Sequence, residues 1–356
     1  MNIVFRVDSS IQIGAGHVMR CLTLAIELKK KANVQFICRK RKGSLVQKIK
    51  SKGFTVFELD EVVLKKDIYD SLIVDWLGTT QEQDIQDCIP ILRKIKPDWL
   101  IVDHYGVDKY WEDNLKKYYK KLLVIDDLAN REHNCDLLLD QNFYQDKKVR
   151  YERLNLKKCK MLLGPSYALL RKEFLSTPSN LRDKGLNKIL VYFGGSDIKN
   201  NTLKALQAIK LCKQANLSVD VVIGPDSPYK RDVLNFSLSM KNTVCFEFVE
   251  NMAKMMSDSD LFIGSAGTTT WERCCMGLPS IVIGIAENQI RPMEAMEWAG
   301  MTFFLGSEES VNSTDISRAL DDIIETPSVL LEMCKKNLEL VDGHGASRCA
   351  SEILIN

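Results

Sequence analysis

Short apolar runs alternate with amphipathic segments along the chain, and this pattern limits the fold more than any other feature. Runs rich in Val, Ile, Leu and Phe, such as Ile189–Phe193 and Val219–Ile223, are separated by segments with helical spacing, such as Val18–Lys31. A strand that is apolar at every position is buried on both faces, which is typical of a parallel sheet covered by helices. The sequence therefore predicts an α/β protein built from doubly wound, Rossmann-like sheets.

Several elements can be assigned from this pattern. The predicted strands include Ile3–Val7, Val34–Cys38, Trp99–Val102, Leu122–Ile125, Ile189–Phe193, Val219–Ile223, Leu261–Ile263 and Ser280–Ile283. The predicted helices include Val18–Lys31, Ile85–Lys96, Leu203–Lys213 and Ile316–Ile324.

A polar stretch near the middle of the chain, Ser176–Asn187, interrupts the alternation before a new strand begins. It predicts a linker over residues 177–187, between an N-terminal domain (1–176) and a C-terminal domain (188–342). The length of 356 residues agrees with two domains of roughly 150 residues each. Residues 343–356 are expected to form a helix that packs back on the N-terminal domain.

Composition and charge exclude several classes of protein. With 45% hydrophobic and 27% charged residues the chain is not disordered, and a net charge of +2 is too balanced for a general nucleic-acid binder. Arg6 and Asp8 lie where a signal peptide would be apolar, and no apolar run approaches the ~18 residues needed to span a bilayer. We therefore expect a cytoplasmic protein with no nucleic-acid or membrane partner. A monomer is expected, but this does not follow from the sequence. The eleven cysteines have neither zinc-site nor disulfide-framework spacing, so reduced, buried thiols are expected.

Three loops that follow predicted strands contain glycine, and such loops lie where open parallel sheets bind ligands. Their backbone N–H groups can approach an anion closely, with help from a helix dipole. The loops are Gly14-Ala15-Gly16-His17-Val18-Met19-Arg20, Gly194-Gly195-Ser196-Asp197 and Gly264-Ser265-Ala266-Gly267-Thr268-Thr269-Thr270.

The first loop does not fit a dinucleotide-binding fingerprint. Arg20 stands where the third glycine would allow close helix–strand packing, and the second strand runs into Arg39-Lys40-Arg41-Lys42 instead of an acid that would bind ribose. NAD binding and oxidoreductase activity are therefore not expected. The basic run Arg39–Lys42 itself is interpreted as a solvated loop.

His17 lies directly after Gly16, at the start of a predicted helix. The positive end of a helix disfavours imidazolium, so the ring should stay neutral and able to accept a proton. A solvated residue at a helix start, without a task, explains the same position equally well.

Glu272 lies early in a predicted helix that follows the glycine turn at Gly267. A carboxylate there can accept hydrogen bonds from both hydroxyls of a ribose, or can merely complement the helix dipole. Asn288 and Gln289, after the strand Ser280–Ile283, could add neutral polar contacts.

Other polar residues give weaker signals. Asp258-Ser259-Asp260 matches a metal-binding pattern of glycosyl transfer, but it directly precedes a strand and is interpreted as a turn. The four histidines lack the local spacing of zinc ligands, so no metal and no cofactor are predicted. Tyr105 follows the strand Trp99–Val102 and can either position a substrate hydroxyl or pack.

These motifs together resemble the UDP-sugar hydrolases of pseudaminic acid biosynthesis, the PseG type. The resemblance is collinear over nearly the whole chain. It rests on FRVDSSIQIGAGHVMRCLTLA, WLGTTQEQD, DWLIVDHYGVD, IDDLANREHNCDLLLDQN, GPSYALLRKEF and YFGGSD.

The resemblance implies a fold, an activity and a set of site residues. The fold would be that of the two-Rossmann-domain (GT-B) glycosyltransferases, with an interdomain cleft. The reaction would be metal-independent hydrolysis of UDP-2,4-diacetamido-2,4,6-trideoxy-β-L-altropyranose to UDP and free sugar. The family's base falls on His17 and its active-site tyrosine on Tyr105. The implied substrate-binding residues are Gly14, Gly16, Arg20, Asn142, Arg171, Gly195, Ser196, Gly267, Thr268, Glu272, Asn288 and Gln289.

In the implied mechanism, His17 holds a water that attacks the anomeric carbon with inversion, while loop amides stabilise the departing UDP. Two alternatives stay open. A glycosyltransferase of the same fold would use an acceptor hydroxyl in place of water, and a sugar-nucleotide-binding protein would bind without turnover.

Overall fold

The computed structural model describes residues 1–62, 76–154, 156, 159–214 and 216–355. The chain divides into two compact units. The first unit comprises Met1–Asn142, Asp146–Leu169 and His344–Asn356, and the second comprises Phe143–Gln145 and Leu170–Gly343.

The described elements alternate as the apolar pattern predicts. The strands are β1 (Asn2–Val7), β2 (Asn33–Arg39), β3 (Thr55–Leu59), β4 (Trp99–Asp103), β5 (Lys121–Ile125), β6 (Leu137–Asp140), β7 (Lys160–Leu163), β8 (Lys188–Tyr192), β9 (Ser218–Val222), β10 (Thr243–Phe246), β11 (Leu261–Ser265), β12 (Ser280–Gly284) and β13 (Phe303–Ser307). The α-helices are α1 (Gly16–Leu28), α2 (Val46–Ser51), α3 (Gln81–Ile95), α4 (Lys109–Leu115), α5 (Glu173–Ser176), α6 (Asn201–Leu211), α7 (Lys230–Ser237), α8 (Met252–Ser257), α9 (Thr269–Cys275), α10 (Glu287–Trp298), α11 (Ser313–Glu325), α12 (Ser328–Leu340) and α13 (Gly345–Ile355).

The first unit contains a seven-stranded parallel sheet in the order β3-β2-β1-β4-β5-β6-β7. Helices cover both faces: α1 and α13 pack over one apolar core, and α3 and α4 over the other. The strand order reverses between β1 and β4, which are paired in register with Val7 opposite Asp103. In such sheets the loops at the point of reversal form the ligand-binding edge.

The second unit repeats this architecture with a six-stranded parallel sheet in the order β10-β9-β8-β11-β12-β13. Here the order reverses between β8 and β11, so the loops after these two strands share one edge. Gly264 permits their close approach, because a Cβ atom at this position would lie 2.0 Å from the Tyr192 carbonyl oxygen. Two doubly wound, Rossmann-like sheets are thus confirmed.

Residues 177–187 and helix α13 each make specific contacts within one unit. Within the first unit, α13 packs against α1. Residues 177–187, expected to be a linker, are attached to the second unit: the buried Arg182 donates to the Met256 and Ser259 carbonyls, and the Ser257 hydroxyl donates to the Pro178 carbonyl. The main segment of the second unit is Leu170–Gly343, which starts before residue 176.

Arg39 corrects one expectation, since it is not part of a solvated loop. It ends β2, is 1% exposed, and donates to Asp84 and Asp87. Asp84 also accepts hydrogen bonds from Arg6 and from the Trp111 indole. A buried ionic network therefore links the ends of β1 and β2 to α3.

Two further features concern membranes and metals. No helix in the described part of the chain combines the length and apolar content needed to cross a membrane. Asp260 accepts hydrogen bonds from the Asn187 and Lys188 amides at the start of β8, and Asp258 pairs with Lys254. Both carboxylates of the Asp258–Asp260 motif thus make structural contacts at a turn.

Candidate active site

The His17 ring lies at the point where the strand order of the first sheet reverses. The loop after β1 runs through Gly14, which has a positive φ of 78° and closes a tight turn by donating its N–H to the Ser10 carbonyl. Helix α1 then begins at Gly16, so His17 occupies its first turn, 9% exposed. Asp103 ends the neighbouring strand β4, and the parallel register therefore places it beside this turn.

His17 and Asp103 form a hydrogen-bonded pair. The ring Nδ1 atom lies 2.6 Å from Asp103 Oδ1. An ionised carboxylate can only accept, so Nδ1 carries the proton, and in the neutral ring Nε2 keeps its lone pair. Within the described residues, both recorded polar contacts of the ring involve Nδ1. His17 is thus oriented as a proton acceptor through Nε2.

Arg20 fixes this pair from the next turn of α1. Its guanidinium donates to both oxygens of Asp103, at 2.6 and 2.7 Å, and to Asp127 Oδ2 at 3.1 Å. The other Asp127 oxygen accepts a hydrogen bond from the Tyr105 hydroxyl. Because Arg20 is 5% exposed and its donors are engaged by two carboxylates, the side chain is placed to position its neighbours.

The charges in this network stabilise one another. Burial alone would raise the pKa of Asp103, but Arg20 and His17 outweigh it and hold this pKa well below its usual range. Arg20 likewise lowers the pKa of Asp127 against the effect of burial. Burial and the nearby Asp127 raise the pKa of Tyr105, so its hydroxyl keeps its proton. The site therefore contains two carboxylates and a neutral phenol.

Aromatic rings enclose His17. The Tyr105 ring lies edge-on to it with centroids 4.7 Å apart, and the Trp76 ring lies edge-on at 5.7 Å. Trp76 and Tyr105 also contact each other, at 4.7 Å. These contacts restrict the imidazole to one orientation and partly shield it from solvent.

Asn142 lies further along the same sheet edge, just after β6, which is separated from β4 by β5. Its backbone N–H donates to Asp140 Oδ1 at 2.9 Å. Asp140 also binds Arg150 and the Tyr151 hydroxyl. Burial raises the pKa of Asp140 to about 7 despite Arg150.

The glycine loop after β8 is open on its outer side. A Cβ atom at Gly194 or Gly195 would meet nothing within 4 Å, whereas one at Gly224, in the next loop, would lie 2.2 Å from the Gly195 carbonyl oxygen. Helix α6 does not offer its first amides to a ligand, since the Asp197 carboxylate accepts from the Asn201 and Thr202 N–H groups. The first turn of α6 is therefore capped by a side chain of its own chain.

The loop after β11 leads into α9 and Glu272. A Cβ atom at Gly267 would also meet nothing within 4 Å, and Thr268 is exposed. Glu272 accepts a hydrogen bond from Arg171 at 3.0 Å, and Arg171 also contacts Glu173 at 3.0 Å. Burial raises the pKa of Glu272, an effect that Arg171 reduces.

Asn288 and Gln289 lie in the first turn of α10, beyond β12. Gln289 accepts a hydrogen bond from the Ile285 N–H at 3.0 Å, which ties this residue to the loop, and Asn288 is exposed. Both residues are therefore at the carboxyl edge of the second sheet, as their sequence position predicts.

Sequence reasoning did not assign roles to three residues of the His17 site: Asp103, Asp127 and Trp76. Asp103 directly follows the predicted strand Trp99–Val102, and Asp127 lies two residues beyond the predicted strand Leu122–Ile125. Trp76 is the first residue of the WLGTTQEQD motif. Among the described residues, no three His, Cys, Asp or Glu side chains are grouped as ligands for one metal ion.

Comparisons with solved structures support the fold. The crystal structure of MurG from Acinetobacter baumannii has a TM-score of 0.71, covering 100% of this chain and 99% of MurG at 14% identity. An identity this low bears on fold alone, and it confirms the predicted two-Rossmann-domain (GT-B) type. Residues 189–349 match the Glycosyltransferase family 28 C-terminal domain.

Two relatives extend the comparison to the sequence. An uncharacterised protein of Methanocaldococcus jannaschii is 30% identical over 80% of this chain, which spans only 55% of that protein. The UDP-2,4-diacetamido-2,4,6-trideoxy-β-L-altropyranose hydrolase of Campylobacter jejuni is 31% identical over 81% of this chain and 93% of its own length. The chain therefore belongs to the family of UDP-2,4-diacetamido-2,4,6-trideoxy-β-L-altropyranose hydrolases.

Proposed function

We propose that this protein hydrolyses a UDP-linked 2,4-diacetamido-2,4,6-trideoxy sugar to UDP and free sugar, as a step of pseudaminic acid biosynthesis. The substrate class comes from the Campylobacter jejuni relative. The chemistry rests on one observation, the 2.6 Å contact between His17 Nδ1 and Asp103 that leaves Nε2 as a proton acceptor.

In this proposal, His17 acts as a general base. Nε2 takes a proton from a water molecule as the water oxygen attacks the anomeric carbon, and the C–O bond to UDP breaks on the opposite face with inversion. The resulting imidazolium is stabilised by Asp103, whose own charge is secured by Arg20. Tyr105 and Trp76 contact the ring edge-on and would limit its rotation during this transfer.

The second unit would bind the nucleotide. The Glu272 carboxylate is suited to accept hydrogen bonds from both ribose hydroxyls, and the open loops at Gly195 and Gly267 are suited to bring amides close to the diphosphate. Negative charge that develops on the departing UDP would be stabilised there by amides fixed in advance. Asn288 and Gln289, with Ser196 and Thr268, would line the nucleotide side.

Arg171 would change partner when substrate binds. It is paired with Glu272 in the free protein, so a ribose that engages Glu272 would compete with this ion pair and release the guanidinium toward the substrate. Gly14, Gly16 and Asn142 would border the sugar at the edge of the first sheet. Arg20 would serve the sugar indirectly, through Asp103 and Asp127.

The experiment is to incubate the protein with the UDP-sugar alone in water enriched in heavy oxygen. Hydrolysis predicts equal amounts of UDP and free sugar, with the label in the sugar. Label in UDP would mean attack at phosphorus and would contradict the mechanism.

A glycosyltransferase is the second candidate, because residues 189–349 match a glycosyltransferase domain. It predicts that UDP release requires an added acceptor alcohol. A protein that only binds sugar nucleotides would retain the UDP-sugar intact.

A further inference from the structure

Arg273 is a buried cation directly behind the Gly267 loop. It lies on α9, next to Glu272, and is 1% exposed. Its guanidinium donates to the Ser265 carbonyl at 3.1 Å and to the Thr270 hydroxyl at 3.3 Å, the two ends of this loop. Its remaining surroundings include the Phe262 ring, whose centroid is 4.7 Å away.

Arg273 has no carboxylate partner among the residues that the structure describes. The neighbouring Glu272 pairs with Arg171 instead. The buried Nε atom of Arg273 lacks a hydrogen-bond acceptor, and burial lowers the pKa of the guanidinium to about 10. A buried charge without an ion pair is costly, and an anionic ligand bound nearby would offset this cost.

The other buried arginines have carboxylate or carbonyl partners within the fold, although the Nε atom of Arg39, like that of Arg273, lacks an acceptor. Arg6, Arg20 and Arg39 each bind carboxylates, and Arg182 donates to a set of backbone carbonyls at the end of α8. Arg273 differs from all four because it combines burial, no ion pair and an unpartnered donor atom.

The opposite side of the loop is open. A Cβ atom at Gly267 would meet nothing within 4 Å, so a ligand can approach the backbone there. The loop between Ser265 and Thr270 thus has the Arg273 guanidinium on one side and an open face at Gly267 on the other. In low-dielectric surroundings the positive charge of Arg273 would act strongly on an anion bound at that open face.

We propose that Arg273 is a positioning residue whose buried charge, acting through the Ser265–Thr270 loop, balances the diphosphate of the bound nucleotide. The inference rests on the proposed function, since it takes the nucleotide site from there. Arg273 would supply positive charge to the leaving group without contacting it. The same side chain would also hold the loop amides in place.

The test compares three ligands that differ in charge: uridine, UMP and UDP. Calorimetric affinities are measured for the wild-type protein, for Arg273→Gln, whose amide can still donate to the Ser265 carbonyl, and for Arg273→Lys, which keeps the charge. We expect Arg273→Gln to weaken UDP binding by about 10-fold or more, UMP binding by less and uridine binding by less than about 2-fold. Arg273→Lys should keep the wild-type preference for UDP over uridine.

If Arg273→Gln lost the same amount of affinity for uridine, UMP and UDP, the inference would be overturned. A merely structural role of Arg273 would weaken the binding of uridine as much as that of UDP. If Arg273→Gln does not fold, Arg273→Lys provides the test. The inference is supported if Arg273→Lys keeps the wild-type preference for UDP over uridine, and it is overturned if that preference is lost. Wild-type protein that binds UDP no more tightly than uridine would also overturn it while leaving the hydrolase proposal intact. Wild-type protein that binds neither ligand would contradict the proposed nucleotide site itself.

Discussion

His17 and Asp103 are 86 residues apart in the chain, yet the ring Nδ1 atom and the Asp103 Oδ1 atom lie 2.6 Å apart. The pair exists because β1 and β4 are neighbours in register, so that the loop after one strand and the last residue of the other meet. Arg20 holds both oxygens of the same carboxylate, which leaves Asp103 little freedom to move.

Replacing Asp103 by Asn should lower turnover by about 10²- to 10⁴-fold, because an amide that turns its N–H₂ toward Nδ1 stabilises the wrong tautomer. Affinity for UDP should change little. A double variant tests this more sharply. The turnover of His17→Asn combined with Asp103→Asn should be no lower than that of His17→Asn alone. If the two substitutions lowered turnover additively, Asp103 would act independently of the His17 ring.

Replacing Glu272 by Gln should weaken UDP binding by about 10-fold or more, since a charged acceptor is lost to the ribose hydroxyls. Glu173 is a matched control, because it too lies 3.0 Å from Arg171. Glu173→Gln should leave UDP affinity within about 2-fold of the wild-type value. Calorimetry on both variants checks this, and equal affinities for all three proteins would remove Glu272 from the nucleotide site.

Two glycines of the second unit should respond differently to alanine. In Gly195→Ala the new methyl group projects into open space, so Tm should be unchanged while UDP binding weakens by obstruction. In Gly224→Ala it would lie 2.2 Å from the Gly195 carbonyl oxygen, so the loop must shift and Tm should fall. Thermal unfolding and UDP titration separate the two effects. A Gly195→Ala variant with wild-type affinity would place the diphosphate elsewhere.

Replacing Asp84 by Asn should destabilise the first unit by about 3–5 kcal/mol at pH 7, because Arg6 and Arg39 lose a shared buried partner. Burial opposes ionisation of Asp84, but the two arginines prevail and its pKa is lowered. The stabilisation is therefore present above the unfolded-state pKa of about 4 and is lost as pH falls through the lower folded-state pKa.

Urea unfolding at pH 7 and pH 3 measures this effect. The difference in the free energy of unfolding between the wild-type protein and Asp84→Asn should be smaller at pH 3 than at pH 7. Asp60→Asn is the control, since Asp60 pairs with Lys40 on the exposed surface and its loss should not be measurable. If this difference in unfolding free energy were larger at pH 3, the pKa of Asp84 could not be lowered in the folded protein.

The apolar pattern predicts the interior of both sheets and fails at their edges. Every predicted strand is present, but β3, β7, β10 and β13, the outer strands of the two sheets, were not predicted. In β10 no residue is fully buried, so a strand with one covered side lacks the continuous apolar run that identified the others. The four-residue strand β6 was not predicted either.

The site shows the same division between local and long-range information. His17 could be found from its own loop, because a histidine after a glycine turn at a strand end is a local pattern. Its pairing with Asp103 depends on strand order, which the sequence does not specify without the fold. Arg39 was misjudged for a related reason: its partners Asp84 and Asp87 are more than 40 residues away, and only the packing of α3 against β2 brings them together.

The central claim is that the neutral ring of His17 deprotonates the attacking water. The most direct measurement is the turnover number of His17→Asn with the UDP-sugar as sole substrate, alongside its UDP affinity. We predict a loss of about 10²-fold or more in turnover, with UDP affinity within about 2-fold of wild type. A His17→Asn variant that releases UDP and sugar at the wild-type rate would contradict the account.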